Sequence, residues 1–269
     1  IEPFVGSGAV LFWMLKNFPT IKTAIINDIN NDLINVYKVI ANNPQKLISI
    51  LENYQKRYYE LENNEEAKKE YYYQQRDLFN RRQEDEITHA ALFIFLNKTC
   101  FNGLYRVNSK NEFNVPIGKY KHPKICDKEN IMAVNAALKK VEILCGDFEK
   151  ILDYVDETTF VYLDPPYKPI SKTSSFQSYT MFDFTDKDQI RLKNFCKKLD
   201  DLGCTWILSN SDLTNINSND LFFDNLYSEF LIKRVNAKRF INAVGNKRGS
   251  LKELLITNQK NIKEYAEGL

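Results

Sequence analysis

The feature that most constrains this chain is an alternation. Short β-branched runs, each closing on an acid or a small polar residue, are separated by segments with helical apolar spacing. Residues 23–26 close on Asn27-Asp28, residues 141–145 on Gly146-Asp147-Phe148, residues 159–163 on Asp164-Pro165-Pro166-Tyr167, and residues 204–208 on Ser209-Asn210-Ser211-Asp212. Between them, 9–18 reads as an apolar helix. Segment 31–41 is apolar at 33, 34, 36, 37, 39 and 40, a helix covers about 129–140, and a short helix follows Phe148. Thr185 caps a helix running to about Leu202, with Asp186 and Asp188 in its first turn. Runs 227–235 and 253–257 are predicted strands that finish the sheet. Alternating strands and helices predict an α/β fold with a doubly wound, parallel sheet. In such a sheet ligands bind at the C-terminal ends of the strands.

The alternation is interrupted at Asn43-Pro44. Segments 44–62 and 65–84 are charged, Tyr-rich and free of strand alternation, and 85–97 adds a helix with an apolar centre. In 101–120 two β-capable runs flank Asn108-Ser109-Lys110-Asn111, the pattern of a hairpin with a polar tip. We read 44–130 as an inserted, mostly helical domain carrying a β-hairpin, and 1–43 with 131–269 as one discontinuous domain. A chain of 269 residues, 43% hydrophobic and 27% charged, suits one large or two unequal globular domains. No apolar run reaches the ~18 residues of a membrane span, and these residues are not expected to open on a basic, apolar, small-residue leader. Ile1 opens inside a motif, so a preceding segment is expected. Five cysteines without a CxxC pair point to reduced thiols and a cytoplasmic setting.

Net charge is only +2, but it is unevenly spread. Lys98, Arg106, Lys110, Lys119, Lys121 and Lys124 face Glu112 alone within 98–124. Lys233, Arg234, Lys238, Arg239, Lys247 and Arg248 have no acid among them in 231–248. Two basic segments on an acidic body are compatible with solvated loops or with local contact to a polyanion.

Glu2, Asp28, Asp147 and Asp164 would converge at one sheet edge if their strands are adjacent and parallel. The turn Phe4-Val5-Gly6-Ser7-Gly8 lacks both the GxxxxGK[ST] phosphate loop and the GxGxxG dinucleotide pattern. Its glycines allow close backbone approach to a ligand, and an acid ending the next strand suits a ribose diol. Together they point to a nucleoside without a diphosphate, and the sulfonium cation of S-adenosylmethionine fits an acidic pocket. A glycine turn alone also fits an ordinary loop.

Asp164-Pro165-Pro166-Tyr167 is more specific. A proline-rigid turn needs neither the acid before it nor the aromatic after it. An exocyclic aromatic amine is a poor nucleophile because its lone pair is delocalised. The Asp164 carboxylate and the Pro165 carbonyl, fixed by Pro166, can accept both amino protons and localise that lone pair. The same acid stabilises the developing positive charge. Tyr167 offers a stacking face worth ~1–3 kcal/mol.

These motifs, in this order, together with 101–108 (Phe-Asn-Gly-Leu-Tyr-Arg-Val-Asn) and 112–120 (Glu-Phe-Asn-Val-Pro-Ile-Gly-Lys-Tyr), resemble the Dam-like, D12-class family of adenine-N6 DNA methyltransferases across nearly the whole chain. The resemblance implies a Rossmann-like S-adenosylmethionine-binding catalytic domain (1–43 and 131–269) and a target-recognition domain (44–130). It also implies double-stranded DNA as partner, no metal, and a monomer encoded by a bacterium or phage, in a restriction–modification or other DNA methylation setting. Glu2, Phe4, Gly6, Gly8, Asp28, Asp147, Phe148 and Asp164 are the implied cofactor-binding residues, and Asp164, Pro165, Pro166 and Tyr167 the catalytic ones. An amino group inside a duplex cannot reach such a pocket, so the adenine is flipped and stacks on Tyr167. Family members that methylate GATC place the positions matching Phe101, Asn102, Leu104, Arg106 and Pro116 at the DNA. Arg106 would read guanine O6 and N7, Leu104 and Pro116 thymine methyls, and Phe101 or Asn102 would fill the gap left by the base. Lys119, Lys238 and Arg239, with Arg234, Lys247 and Arg248, are the expected phosphate contacts, and GATC is the expected site.

Two departures stand out. The family's Lys-Trp-x-Gly-Gly-Lys-like segment precedes this numbering, and Phe101 stands where some relatives carry Tyr. The weighed alternatives are methylation of another exocyclic amine, such as guanine N2 in ribosomal RNA, and a DNA-binding relative that has lost catalysis. His89 is expected to be structural, His122 a solvated loop residue or phosphate contact, and 168–184 a surface loop or one that orders over DNA.

Overall fold

A computed structural model describes residues 1–169, 184–237 and 251–259. Lys238, Arg239, Lys247, Arg248 and most of the 168–184 loop lie outside these residues. The protein is mixed α/β, and its described residues form two compact units: Gly6–Asp147, and Ile1–Val5 with the described residues from Phe148 onward.

The first unit contains α1 (Ala9–Asn17), β1 (Ala24–Ile26), α2 (Asn31–Asn42), α3 (Pro44–Glu60), α4 (Glu65–Arg81), α5 (Glu86–Thr99), α6 (Lys128–Leu138) and β2 (Val141–Ile143). Its helices start where short polar side chains can satisfy free amides. Asn30 caps α2 by accepting from Asp32 N and Leu33 N at 3.1 and 3.2 Å, and Asp85 caps α5 at 3.0 and 3.2 Å. Asn64 caps α4 at 3.0 Å, and Pro44 occupies the first turn of α3, where its missing N–H costs nothing. Each polar cap contributes ~1 kcal/mol. Helix α5 is apolar on every side and therefore central: Ala90, Ala91, Leu92, Phe95 and Leu96 are buried, and Phe95 meets the rings of Tyr54, Tyr58, Tyr71 and Tyr72 at centroid distances of 5.5–6.5 Å. Helix α2 packs on α3, α5 and α6, so 6–43 and 131–147 share this unit with the helices of 44–130.

The predicted hairpin is a hairpin in course but not a strand ladder. Only Cys100↔Ile117 and Val107↔Phe113 form β-bridges. Asn102 and Asn111 sit at φ 55° and 60°, and Pro116 has no N–H to give. The segment instead bonds to side chains of α3 and α4 and of Arg82 just beyond. Arg82 Nη2 donates to Asn111 O at 2.9 Å, Asn80 pairs with both the N–H and C=O of Phe113 at 2.8 and 3.1 Å, and Tyr72 Oη donates to Val115 O at 2.8 Å. Lys68 Nζ donates to Tyr120 O at 3.0 Å, Tyr59 Oη to Pro123 O at 3.0 Å, and Gln55 Oε1 accepts from Ile125 N and Cys126 N at 2.9 and 3.1 Å.

The second unit holds β3 (Phe160–Leu163), α7 (Asp186–Asp201), β4 (Thr205–Ser211), α8 (Phe222–Leu226), β5 (Leu231–Ala237) and β6 (Leu251–Thr257), in the sheet order β3-β4-β6-β5. Strands β3 and β4 are parallel, with Leu163 opposite Leu208. Strand β6 runs antiparallel to both β4 and β5, so the sheet is mixed where a parallel one was predicted. Antiparallel neighbours need no helical crossover. Thr185 and Asp188 form a capping box at the start of α7, whose stripe Leu192, Phe195, Cys196 and Leu199 is buried. Helix α7 packs against β4. Residue 1 runs beside β3, its N donating to Phe160 O at 2.7 Å and its O accepting from Tyr162 N at 2.9 Å.

Candidate active site

In the second unit, parallel pairing of β3 with β4 sets Asp164 next to Ser209, and Ser209 Oγ donates to Asp164 Oδ1 at 2.7 Å. The strand predicted to end at Leu208 continues to Ser211, and this extension clamps the loop after β3. Asn210 Oδ1 accepts from Lys168 N at 3.2 Å, Ser211 Oγ donates to Lys168 O at 2.7 Å, and buried Gln189 of α7 donates to Pro166 O at 3.3 Å. Asp164 stays open to solvent on one side. Desolvation by the protein atoms around it nonetheless pushes its pKa up, against the hydrogen bonds from Ser209 and Tyr167. Tyr167 Oη reaches Glu253 of β6 at 3.4 Å, and burial raises the phenol's pKa. Glu2 is buried at 6% exposure. Phe4 and Phe148 lie 5.3 Å apart, and Phe148 packs on Phe195 at 5.1 Å beneath the Arg191 guanidinium, 4.4 Å from its ring.

In the first unit, β1 and β2 are parallel, and their pairing continues past the strands through Leu144 N to Ile26 O and Gly146 N to Asp28 O, at 2.8 and 3.0 Å. Asp28 and Gly146-Asp147 therefore share one strand edge. Asp28 accepts from Gly6 N at 3.1 Å and Asn30 N at 2.9 Å; burial raises its pKa, and these backbone bonds oppose the rise. Gly6 and Gly8 take φ values of 47° and 70°, the left-handed region that favours glycine. A Cβ on Gly8 would stand 2.7 Å from Tyr37 Oη, which itself donates to Gly6 O at 3.0 Å. Tyr37, buried on α2, thus pins the turn. It was hidden in sequence because it occupies one more apolar position of a helical stripe.

On the hairpin, Phe101, Asn102, Arg106, Pro116 and Lys119 are exposed, Leu104 is half-buried, and Val107, Phe113 and Val115 point into the unit. Arg106 Nε donates to Asn114 Oδ1 at 2.7 Å. Arg234 is held by Asp212 at 2.9 Å and by both oxygens of Asp224 at 2.9 and 2.8 Å, so its guanidinium is occupied within the protein. His122 pairs with Glu62 at 3.0 Å and packs edge-on to Tyr59, and His89 is buried against Asp32. The five cysteines are thiols, four of them buried. Among the described residues no cluster of His, Cys, Asp or Glu is arranged to hold a metal, and no helix is long and apolar enough to cross a membrane.

Comparison with known proteins identifies the family. The family of D12 class N6 adenine-specific DNA methyltransferases matches residues 1–241. The type II methyltransferase M.MjaIII of Methanocaldococcus jannaschii is 54% identical over 96% of this chain and 87% of its own length. The type II methyltransferase M1.LlaDCHI of Lactococcus lactis subsp. cremoris is 40% identical over 97% of this chain and 86% of its own. The DNA adenine methylase of Escherichia coli is 31% identical, covering 95% of this chain and 84% of that protein. With a family model spanning most of the chain and relatives this similar over nearly its whole length, the chain belongs to the D12 class of N6 adenine-specific DNA methyltransferases.

Proposed function

We propose that the methyl donor is S-adenosylmethionine, that the acceptor is the N6 amine of an adenine flipped out of duplex DNA, and that the site read is GATC. The observation that carries this reading is Asp164: open to solvent, raised in pKa, and tied by one oxygen to Ser209 at the end of a rigid diproline loop. Ser209 donates to Oδ1, and the carboxylate keeps lone pairs to accept an amino proton of the base. The Pro165 carbonyl accepts the second proton. The nitrogen lone pair is thereby freed from the ring, and the carboxylate offsets the positive charge that develops on the amine. Tyr167 supplies the stacking face.

The residues fit the donor. Asp28 is fixed by two backbone amides and remains half-buried, and Gly6 leaves open space on the side where a Cβ would stand. We assign Glu2, Phe4, Gly6, Gly8, Asp28, Asp147, Phe148 and Asp164 to it. When bound, it supplies an electrophilic methyl group on a sulfonium centre. The finer architecture belongs to the same proposal: a Rossmann-like, doubly wound catalytic domain of 1–43 and 131–269, and an inserted recognition domain of 44–130. The latter presents Phe101, Asn102, Leu104, Arg106, Pro116 and Lys119 to DNA, with Lys238 and Arg239 on phosphates.

The test is transfer of labelled methyl from S-adenosylmethionine into duplexes carrying GATC, GATATC or a scrambled sequence, with the product base identified. Incorporation confined to GATC, as N6-methyladenine, is expected. Equal labelling of all three overturns the site, and label on guanine overturns the acceptor.

A further inference from the structure

A buried carboxylate outside the proposed chemistry links the two ends of the first unit's functional sequence. Asp32, 5% exposed, is the second residue of α2, two positions after the Asn30 cap and four after Asp28. His89 Nε2 lies 3.0 Å from Oδ1, and Tyr105 Oη donates to Oδ2 at 3.1 Å. Arg82 engages both oxygens, with Nη2 to Oδ2 at 2.9 Å, and the same Nη2 donates to Asn111 O at 2.9 Å. Tyr105 sits between Leu104 and Arg106 on the first arm of the hairpin, and Asn111 is at its tip. The Tyr105 ring is held between Phe93 at 5.1 Å and Phe113 at 5.8 Å, and its hydroxyl also bonds the Asn30 side chain.

For stability alone, an apolar cluster would serve as well as this buried ionic group. What directional bonds add is register. The arm reaches one carboxylate directly through Tyr105 and the tip reaches it through Arg82, and that carboxylate belongs to the helix that begins directly after the Asp28 loop.

We propose that Asp32, Arg82 and Tyr105 are positioning residues for sequence discrimination, fixing the arm that carries Leu104 and Arg106 to the start of α2. The proposal rests on the reading of the hairpin as the element that meets bases. Two variants test it. Tyr105→Phe keeps the ring packing and loses the hydroxyl. Arg82→Lys keeps a positive charge beside Asp32 and loses the fork that reaches Asn111.

The measurement is kcat/KM for the duplex the wild-type enzyme prefers, divided by kcat/KM for duplexes differing by one base pair, within one preparation. Any unfolded fraction cancels in this ratio, so a merely structural role leaves it unmoved. A fall of roughly 3- to 10-fold, the size of one ordinary net hydrogen bond, is expected. Discrimination retained in both variants overturns the proposal. A wild-type enzyme that methylates without sequence preference overturns it together with the reading of the hairpin.

Discussion

Replacing Ser209 with alanine deletes one hydroxyl and leaves the backbone of β4 intact. That hydroxyl donates to Asp164 Oδ1 at 2.7 Å, and the acid is already raised above the ordinary carboxylate range by desolvation. A hydrogen bond to a charged group contributes ~1.5–3 kcal/mol. Because Asp164 is open on one side, water recovers part of this, leaving about 1–1.5 kcal/mol. At ~1.4 kcal/mol per pH unit, the change corresponds to about one pH unit. The sign follows from which form the bond favours. Ser209 stabilises the ionised carboxylate, so its loss raises the pKa further, and methyl transfer needs the ionised form as acceptor. The acid limb of kcat/KM against pH, which reports the free enzyme, should move upward by about one pH unit, and Ser209→Thr should restore it. The assay is incorporation of labelled methyl into duplex DNA across the acid range. A Ser209→Ala enzyme whose acid limb coincides with that of the wild type would refute the role given to Asp164.

Other outcomes follow from the same structure. Gly8→Ala puts a side chain at φ 70° and a Cβ 2.7 Å from Tyr37 Oη; a stability loss of roughly 2 kcal/mol or more is expected in denaturant melts. That loss should shrink in a Tyr37→Phe background, and equal loss in both backgrounds would rule out the clash. Burial pushes the pKa of Asp32 up, but the hydrogen bonds from His89 and Arg82 overcome this and hold it at about 2, against 3.8 unfolded. Its contribution, roughly 2 kcal/mol, is therefore complete above the unfolded value and is lost as pH falls toward the folded one. Asp32→Asn should remove this part of the acid sensitivity, and an unchanged pH dependence of unfolding would contradict the assignment. Arg106→Ala should cost roughly 1–3 kcal/mol of discrimination at one guanine; a uniform loss over all sequences would make it a phosphate contact.

The placement of the candidate residues was legible because they follow β-branched runs. Asp28, Asp147 and Asp164 each follow a short β-branched run, and each is found just beyond a strand. Helix starts were legible from Pro44, Asp85 and Thr185. Pairing by side chains was not. Nothing in a linear pattern tells that Asn80 takes the place of a neighbouring strand for Phe113, so two β-capable runs read as a ladder. Ser209, Asn210 and Ser211 read as the loop after a strand, yet they extend it and grip the loop after β3, because parallel pairing carries the run past its apolar part. The direction of β6 was likewise invisible: period-2 alternation is the same for parallel and antiparallel neighbours. Asp32 draws no attention as one acid near a helix start, and only the distant His89, Arg82 and Tyr105 make it a buried, paired group.

The splinting of 111–126 by Gln55, Tyr59, Lys68, Tyr72, Asn80 and Arg82 separates two jobs that a conventional hairpin combines. Its shape is dictated from outside, by side chains of α3 and α4 and by Arg82, none of which belongs to the loop's own exterior. If the outward residues read DNA as proposed, exchanging them is a change of lettering on a fixed frame, a cassette for new target sequences without a new fold.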